Sequence, residues 1–269
     1  MPYQSHYTAS MQSLSASRYV VPLREGGSLP AVIETDGGGM YVVKFRGAGQ
    51  GPLALVAEVL AGELARALAL NVPELAAVSL DAAFGRSEPD PEIRYLLQAS
   101  MGLNLGMKFL PESTTFDSAA GDTISPATAS TIVWLDAFVQ NVDRTARNPN
   151  LLLHRRQPWV IDHGAAFYFQ HGSADFTDKA KSPFAMIRDH VLLRSATELD
   201  LAAELAHAVL TPQVLQGIVA QVPDDWLIPP GSTETAEHRR SAYLSYFMHR
   251  LECATIFQAE AQRAHDAQL

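Results

Sequence analysis

"FVQNVDRTARNPNLLLHRRQPWVIDHGAAF", residues 138–167, decides how this chain is read. It sets Asp143, Arg144, Arg147, Asn148, Asn150, Asp162 and His163 between apolar runs. "SPATASTIVWLDAFVQN" ahead of the cluster has a Ser/Pro start and helical periodicity, while "NLLLHRR" and "PWVIDHG" predict two short strands joined as a hairpin. Asp143 and Asn148 therefore fall between helix and strand, and the hairpin returns Asp162 toward Asn148. One carboxylate and one amide oxygen suit Mg²⁺, which takes few protein ligands and leaves room for phosphates. Asp143, outside that pair, is a candidate to accept a hydroxyl proton or orient a nucleophile. The bland alternative is a polar hairpin in which Asp143 and Asn148 only shape a turn.

Lys44 shifts the balance from hairpin to site. It ends the β-type run "YVVKF", where alternation puts it on the face of Val42 and where an unpaired ammonium is costly. The helical run "LALVAEVLAGELARALAL" follows, with Glu58 flanked by Val56, Ala57, Val59 and Leu60. A strand lysine held by an inward helix glutamate is a device for gripping phosphate. Glu63 is expected instead in a solvated pair with Arg66. "REGGSLP", carrying Gly26, Gly27 and Ser28, offers backbone N–H groups and a hydroxyl that could cover phosphates. Its rival, "ETDGGGM", reads as an ordinary tight turn.

Around these motifs, the first hundred residues read as strand–strand–strand–helix–strand–strand, with "LAAVSLD" and "IRYLLQAS" as the last two strands and "MGLNLGMKFL" as a glycine-interrupted connector. Mostly helices follow, among them "AMIRDHVLL" and one long run from Ala236. The expected organisation is a mobile Ser-rich tail (1–16), a sheet-rich lobe (17–102) and a helical lobe carrying the charged loops (103–269), an α+β fold with a cleft between the lobes.

Composition narrows the function. The chain has 269 residues, 47% of them hydrophobic and 18% charged, with a net charge of −9 and pI near 5.4, which argues against a broad nucleic-acid-binding face. One cysteine, Cys253, allows neither an intramolecular disulfide nor a cysteine zinc cage. The nine histidines show no H-E-x-x-H spacing, and no G-x-S-x-G occurs. No apolar run approaches a membrane span and the N-terminus lacks signal-peptide features, so a cytoplasmic location is expected. His190, beside Asp189, either touches the charged loops from the helix that follows the second short strand or sits in a surface or half-buried polar pair. Arg144 is assigned to structural ion pairing, and Tyr243, Tyr246, Phe247 and Phe257 to helix packing.

In order, these features are a glycine turn, strand lysine, helix glutamate, connector, Asp-x4-Asn and Asp-x-Gly, and that order resembles the protein-kinase-like fold. "GGSLP", "YVVKFRG", "ALVAEVLAGELARALALNVPE" and "NVDRTARNPNLLL" together are similar to the small bacterial HipA-like kinase domains, over about residues 18–230. The resemblance implies a bilobal fold, with an antiparallel-sheet N-lobe plus one helix and a mainly helical C-lobe. It implies that Lys44 contacts the phosphates of ATP, Glu58 anchors Lys44, Asp143 is the catalytic base or orienter, and Asn148 and Asp162 hold Mg²⁺. The segment that reads adenine would fall at Gln98, Ala99 and Ser100, running to Gly102. The acceptor it implies is an unidentified hydroxyl, with protein Ser/Thr leading and a small molecule open. A nucleotide-binding pseudokinase and an AMP transferase are the alternatives on the same fold. The chain departs from relatives in lacking G-x-G-x-x-G, in having Thr145 where a "DRH" pattern has His, and in having His163 rather than Phe after Asp162. It is also too short for the extra N-terminal domain of full-length HipA toxins, which counts against a HipB-like antitoxin as partner.

Overall fold

A computed structural model describes residues 11–23, 29–86, 88–172, 175–228 and 231–268. Five strands, β1 (Gln12–Pro22), β2 (Ala31–Thr35), β3 (Met40–Lys44), β4 (Leu75–Leu80) and β5 (Gly102–Lys108), close into a barrel in the order β1-β2-β3-β5-β4. Closure comes from β1. Its second half pairs antiparallel with β2, and its first half, Gln12 to Ser15, pairs parallel with Ala76 to Ser79 of β4. Two register shifts within β1, between Ala16 and Arg18 and between Tyr19 and Val21, let one strand serve both partners. The sheet is thus not purely antiparallel, and residues 12–16, expected as tail, are strand. The serines there concealed an alternating pattern in which Leu14 turns inward and is buried.

Residues 93–100, expected as a strand, are mostly helix: α2 spans Pro91–Ala99. Asp90 caps it, accepting hydrogen bonds from the backbone N–H groups of Glu92 (2.9 Å) and Ile93 (3.5 Å), and Pro91 occupies the first turn, where its missing N–H costs nothing. Ile93, Leu96 and Leu97 make the buried face. The true fifth strand is the stretch expected as a connector. Gly106 does not interrupt it; a Cβ there would stand 2.7 Å from the Val78 side chain, so the glycine permits β4 and β5 to pack closely.

Between β3 and β4 runs α1 (Pro52–Ala67), buried on nearly every face. It lies between the barrel and the helical remainder of the chain, against α3 (Pro126–Val139), α5 (Pro212–Ala220) and α6 (Asp224–Leu227). Arg66 reaches across the end of α1 to the carbonyls of Val72 (3.0 Å) and Pro73 (2.9 Å) and pairs with Glu63, which is buried rather than solvated. From β5 the chain crosses at residues 109–113 to a small antiparallel sheet, β6 (Thr114–Thr115), β7 (Leu151–His154) and β8 (Gln157–Val160). Short 3-10 turns occupy most of 168–195, including 185–189, where a helix was expected. The remaining helices are α4 (Leu199–Val209), α7 (Ala236–Glu252) and α8 (Ala254–Asp266), with Cys253 at the break in what had read as one long helix. Among the described residues no helix is long and apolar enough to cross a membrane.

The expected aromatic packing is present: Tyr243, Tyr246 and Phe247 meet Phe167, and Phe257 meets Trp134 and Phe138. Arg250 lies inside this core and has no carboxylate partner among the described residues. Its guanidinium donates to the carbonyls of Ala137 (2.7 Å), Phe138 (3.3 Å), Ala180 (2.9 Å) and Ser182, and sits 4.3 Å from the centre of the Phe257 ring. Two of those carbonyls belong to the last turn of α3, which has no intrahelical donors for them. Arg250 therefore fixes the end of the helix from which the charged loop departs. Arg250→Met is expected to cost about 3 kcal/mol or more, because several buried carbonyls lose their donor; a urea denaturation midpoint within error of wild type would refute this role.

Candidate active site

The lysine, the glutamate and the second aspartate converge. Lys44 ends β3 pointing into the interior, where its Nζ donates to Glu58 Oε1 and to Asp162 Oδ1 (2.5 Å). Glu58, on the middle of α1, receives its second hydrogen bond from the backbone N–H of His163 (2.8 Å). One carboxylate thus ties a barrel strand to the Asp162-His163-Gly164 turn, which lies 105 residues beyond Glu58 in the chain. A Cβ at Gly164 would come within 3.1 Å of Glu58 Oε1, so a small residue suits that approach. Asp162 itself adopts φ +55°, a left-handed conformation that bends the chain out of β8.

Burial opposes the Lys44 charge, but the facing Glu58 and Asp162 carboxylates outweigh it and raise the ammonium above its ordinary range. Burial likewise raises Asp162, and Lys44 reverses this, holding the carboxyl below its ordinary value. Glu58 is driven upward by burial against the pull of Lys44.

Asp143 and Asn148 occupy a tight turn. Asn148 Nδ2 donates to Asp143 Oδ2 (2.7 Å), and the backbone N–H groups of Thr145 and Asn148 bond reciprocally to each other's carbonyls (both 3.1 Å). This leaves the Asn148 amide oxygen without a partner among the described residues, on an exposed side chain. Asn150, unassigned from sequence, links the two halves of the site. It is buried with φ +50°, and its amide lies 3.5 Å from both Asp143 Oδ2 and the Asp162 carbonyl.

Under this surface lies a polar core that sequence reading missed in its main member. Asp136, on α3, is wholly buried. Its Oδ2 accepts from Arg144 Nε (2.5 Å) and His190 Nε2 (2.9 Å), and its Oδ1 from Asn141 Nδ2 (3.0 Å). The only hint in the sequence was a lone carboxylate in the apolar run "IVWLDAFV". His190 pairs with Asp136, not Asp189; because its Nδ1 accepts the Leu192 N–H (3.0 Å), Nε2 carries the proton. Arg144 is structural, as expected. It bonds the carbonyls of Asn150 and Ile161 (3.3 Å to the latter) and His163 Nδ1 (3.2 Å).

Burial, reinforced by the Arg144 charge, pushes the His163 imidazole down to about 3 from an ordinary 6.5. Burial also lowers His190, against the pull of Asp136. Unfolded imidazoles take up protons below pH 6.5 that the folded ones refuse, so this stability is complete above pH 6.5 and drains away as pH falls toward 3. By about pH 5 His163 alone should cost about 2 kcal/mol. The expected readout is a lower urea midpoint at about pH 5 than at about pH 7.5; equal midpoints would contradict a neutral, buried His163.

Two further parts of the site were expected, a phosphate-covering turn and an adenine-reading segment. Gly26, Gly27 and Ser28 lie outside the described residues, while the rival 36–39 segment is an ordinary turn closed by Thr35 N–H to Gly39 O (3.1 Å). Gln98 and Ala99 end α2 and are exposed, and Ser100 is buried against Gly47, its Oγ accepting the Gly47 N–H (3.2 Å). These three residues precede β5 and so are not the crossover between barrel and helices, which lies at 109–113. That segment was expected at the end of a fifth strand, where the chain is instead α2.

The donor set suits a hard divalent cation shared with phosphate: Asp162 offers a carboxylate that is 45% exposed despite its bond to Lys44, and Asn148 a free amide oxygen. No group of three or more His, Cys, Asp or Glu side chains able to hold a metal occurs among the described residues. A cation bound here would therefore take few protein ligands.

Comparison with known proteins bears on the fold and the family. A Helicobacter pylori proinflammatory kinase, CtkA, has a similar crystal structure, with a TM-score of 0.58 at 11% identity over 96% of this chain and 99% of that one. At that identity the likeness speaks to the fold alone. The Golgi casein kinase with Mn/ADP bound aligns more loosely, with a TM-score of 0.46 at 12% identity over 98% of this chain and 76% of that one. No curated protein sequence matches significantly. The HipA-like kinase profile matches residues 19–254, a span that runs from β1 through α8's first residue and takes in Lys44, Glu58, Asp143 and Asp162. With most of its length matched, the chain belongs to the HipA-like kinase family.

Proposed function

We propose that this protein is an ATP- and Mg²⁺-dependent phosphotransferase that moves the γ-phosphate to a hydroxyl acceptor, with protein Ser/Thr side chains as the leading acceptor class. The observation that carries the reading is Lys44, held at once by Glu58 and Asp162. A buried ammonium with two carboxylate partners is a rigid point charge, and rigidity is what phosphate gripping needs. The site is read as a cleft between the barrel lobe and the helical lobe. Nucleotide-bound Mg²⁺ would supply charge neutralisation on the phosphates, held from the protein side by Asp162 and Asn148.

In this reading Asp143 accepts the hydrogen bond of the acceptor hydroxyl and orients its oxygen for in-line attack. The new bond joins that oxygen to the γ-phosphorus, the bond from γ-phosphorus to the bridging oxygen breaks, and ADP leaves with the electron pair. The hydroxyl proton passes to Asp143. Lys44 stays protonated throughout and draws the phosphates toward the barrel. The adenine-reading role moves from residues 98–102 to the crossover at 109–113, and Gly26, Gly27 and Ser28 remain assigned to covering the phosphates.

The test is to incubate the protein with Mg²⁺ and ATP labelled separately at the α- and γ-phosphates, with a panel of Ser/Thr peptides and small hydroxylic acceptors. Transfer of γ-label with release of ADP is expected. Incorporation of α-label would replace the reading with AMP transfer, and nucleotide binding without turnover would replace it with a binding module.

A further inference from the structure

We propose that Asp136 is a positioning residue for phosphotransfer, setting the placement of Asp143 relative to Asp162 from beneath the site. The inference rests on the function proposed above. Asp136 touches neither Asp143 nor Asp162, yet it reaches both through fully bonded routes. Toward Asp143, Asp136 Oδ1 accepts from Asn141 Nδ2 (3.0 Å), and Asn141 Oδ1 in turn accepts the Asp143 backbone N–H (3.2 Å). Toward Asp162, Asp136 Oδ2 orients Arg144, whose guanidinium bonds the Ile161 carbonyl (3.3 Å) and the His163 ring (3.2 Å), the residues on either side of Asp162.

A third route leaves the same oxygen. His190 donates Nε2–H to Asp136 Oδ2 (2.9 Å), while the backbone around it is stitched to the catalytic turn by Val191 N–H to Arg144 O (3.1 Å) and by a bridge between Thr145 and His190. One carboxylate therefore fixes the end of α3, the Asp143 turn, the Asp162 turn and the segment at 190–191.

Packing alone does not require this arrangement. The group is almost completely buried, and an apolar cluster of similar volume would stabilise a fold at least as well as a buried ion pair does. An ion pair supplies direction. Each hydrogen bond fixes an angle as well as a distance, and each ends on a backbone or ring atom beside a residue assigned to the chemistry. Displacement of a reacting group by about 1 Å is enough to cost about a hundredfold in rate.

Two variants test the proposal. Asp136→Asn removes the charge while keeping the shape. Asn141→Ala cuts the link to the Asp143 backbone and leaves the Asp136–Arg144 ion pair in place, so it decides the matter if Asp136→Asn does not fold. For each folded variant, kcat for γ-phosphate transfer is expected to fall about tenfold or more, with the KM for ATP within about threefold of wild type. A merely structural role would lower the thermal midpoint without separating kcat from KM. Wild-type turnover together with a kcat within about threefold in folded Asn141→Ala would overturn the positioning role and leave the phosphotransferase reading standing. Absence of nucleotide turnover in the wild type would overturn both, through the reading on which the proposal rests.

Discussion

Asp143→Ala is expected to lower γ-phosphate transfer by about a thousandfold, the middle of the range for losing a positioned base. The loss should appear equally in kcat and kcat/KM, because Asp143 is assigned to the acceptor hydroxyl in the transition state and not to the nucleotide. Nucleotide affinity should stay at the wild-type value, since Lys44, Glu58 and Asp162 keep their mutual bonds. The fold should also survive. The substitution deprives Asn148 of its 2.7 Å partner and Asn150 of a longer contact, but Asn148 is exposed, so the expected cost is about 1 kcal/mol. Labelled transfer under single-turnover conditions, alongside nucleotide titration, checks both halves. Activity retained within about tenfold would remove Asp143 from the chemistry.

Asp162→Asn is the second large effect, and it separates two roles for one carboxylate. If Asp162 served only as counterion to Lys44, the substitution would do little, because Glu58 still holds the ammonium and an asparagine oxygen can still accept its hydrogen bond. If Asp162 also holds Mg²⁺, the Asp162–Asn148 pair loses its anionic member and keeps only neutral oxygens. Transfer should then fall by about a hundredfold to a thousandfold, and the Mg²⁺ concentration for half-maximal rate should rise. A large drop in rate with an unchanged Mg²⁺ requirement would reassign Asp162 to holding Lys44 alone.

Much of this site was legible because chemistry constrains residue type more tightly than shape does. An inward strand lysine needs a carboxylate, and Glu58, the glutamate flanked by apolar residues, provides it. Asp143 and Asp162 were readable from their places after a helix and at the end of a strand. What escaped reading were residues whose importance lies in who they meet. Asp136 was one acidic letter in an apolar helix, and its partners Asn141, Arg144 and His190 are 5, 8 and 54 residues away. Asn150 showed nothing beyond its neighbourhood. Secondary structure failed where a local signal had two meanings. Gly106 looked like a break and is a point of close approach, "IRYLLQAS" looked like a strand and is mostly helix, and Ser13 and Ser15 looked like tail and are the solvent side of a strand.

That last stretch has a consequence for how the protein can meet other chains. Because Gln12 to Ser15 lie along β4 while the rest of the same strand lies along β2, β1 covers the two strands that would otherwise be the margins of an open sheet. An extended polypeptide cannot be captured along Ala31 to Thr35 or Ala76 to Ser79 by adding itself as a further strand, a common way of gripping peptides by their backbone. Removing the first fifteen residues would open the β4 margin at Ala76 to Ser79 to such pairing, while β2 would keep Arg18 to Pro22 as its partner.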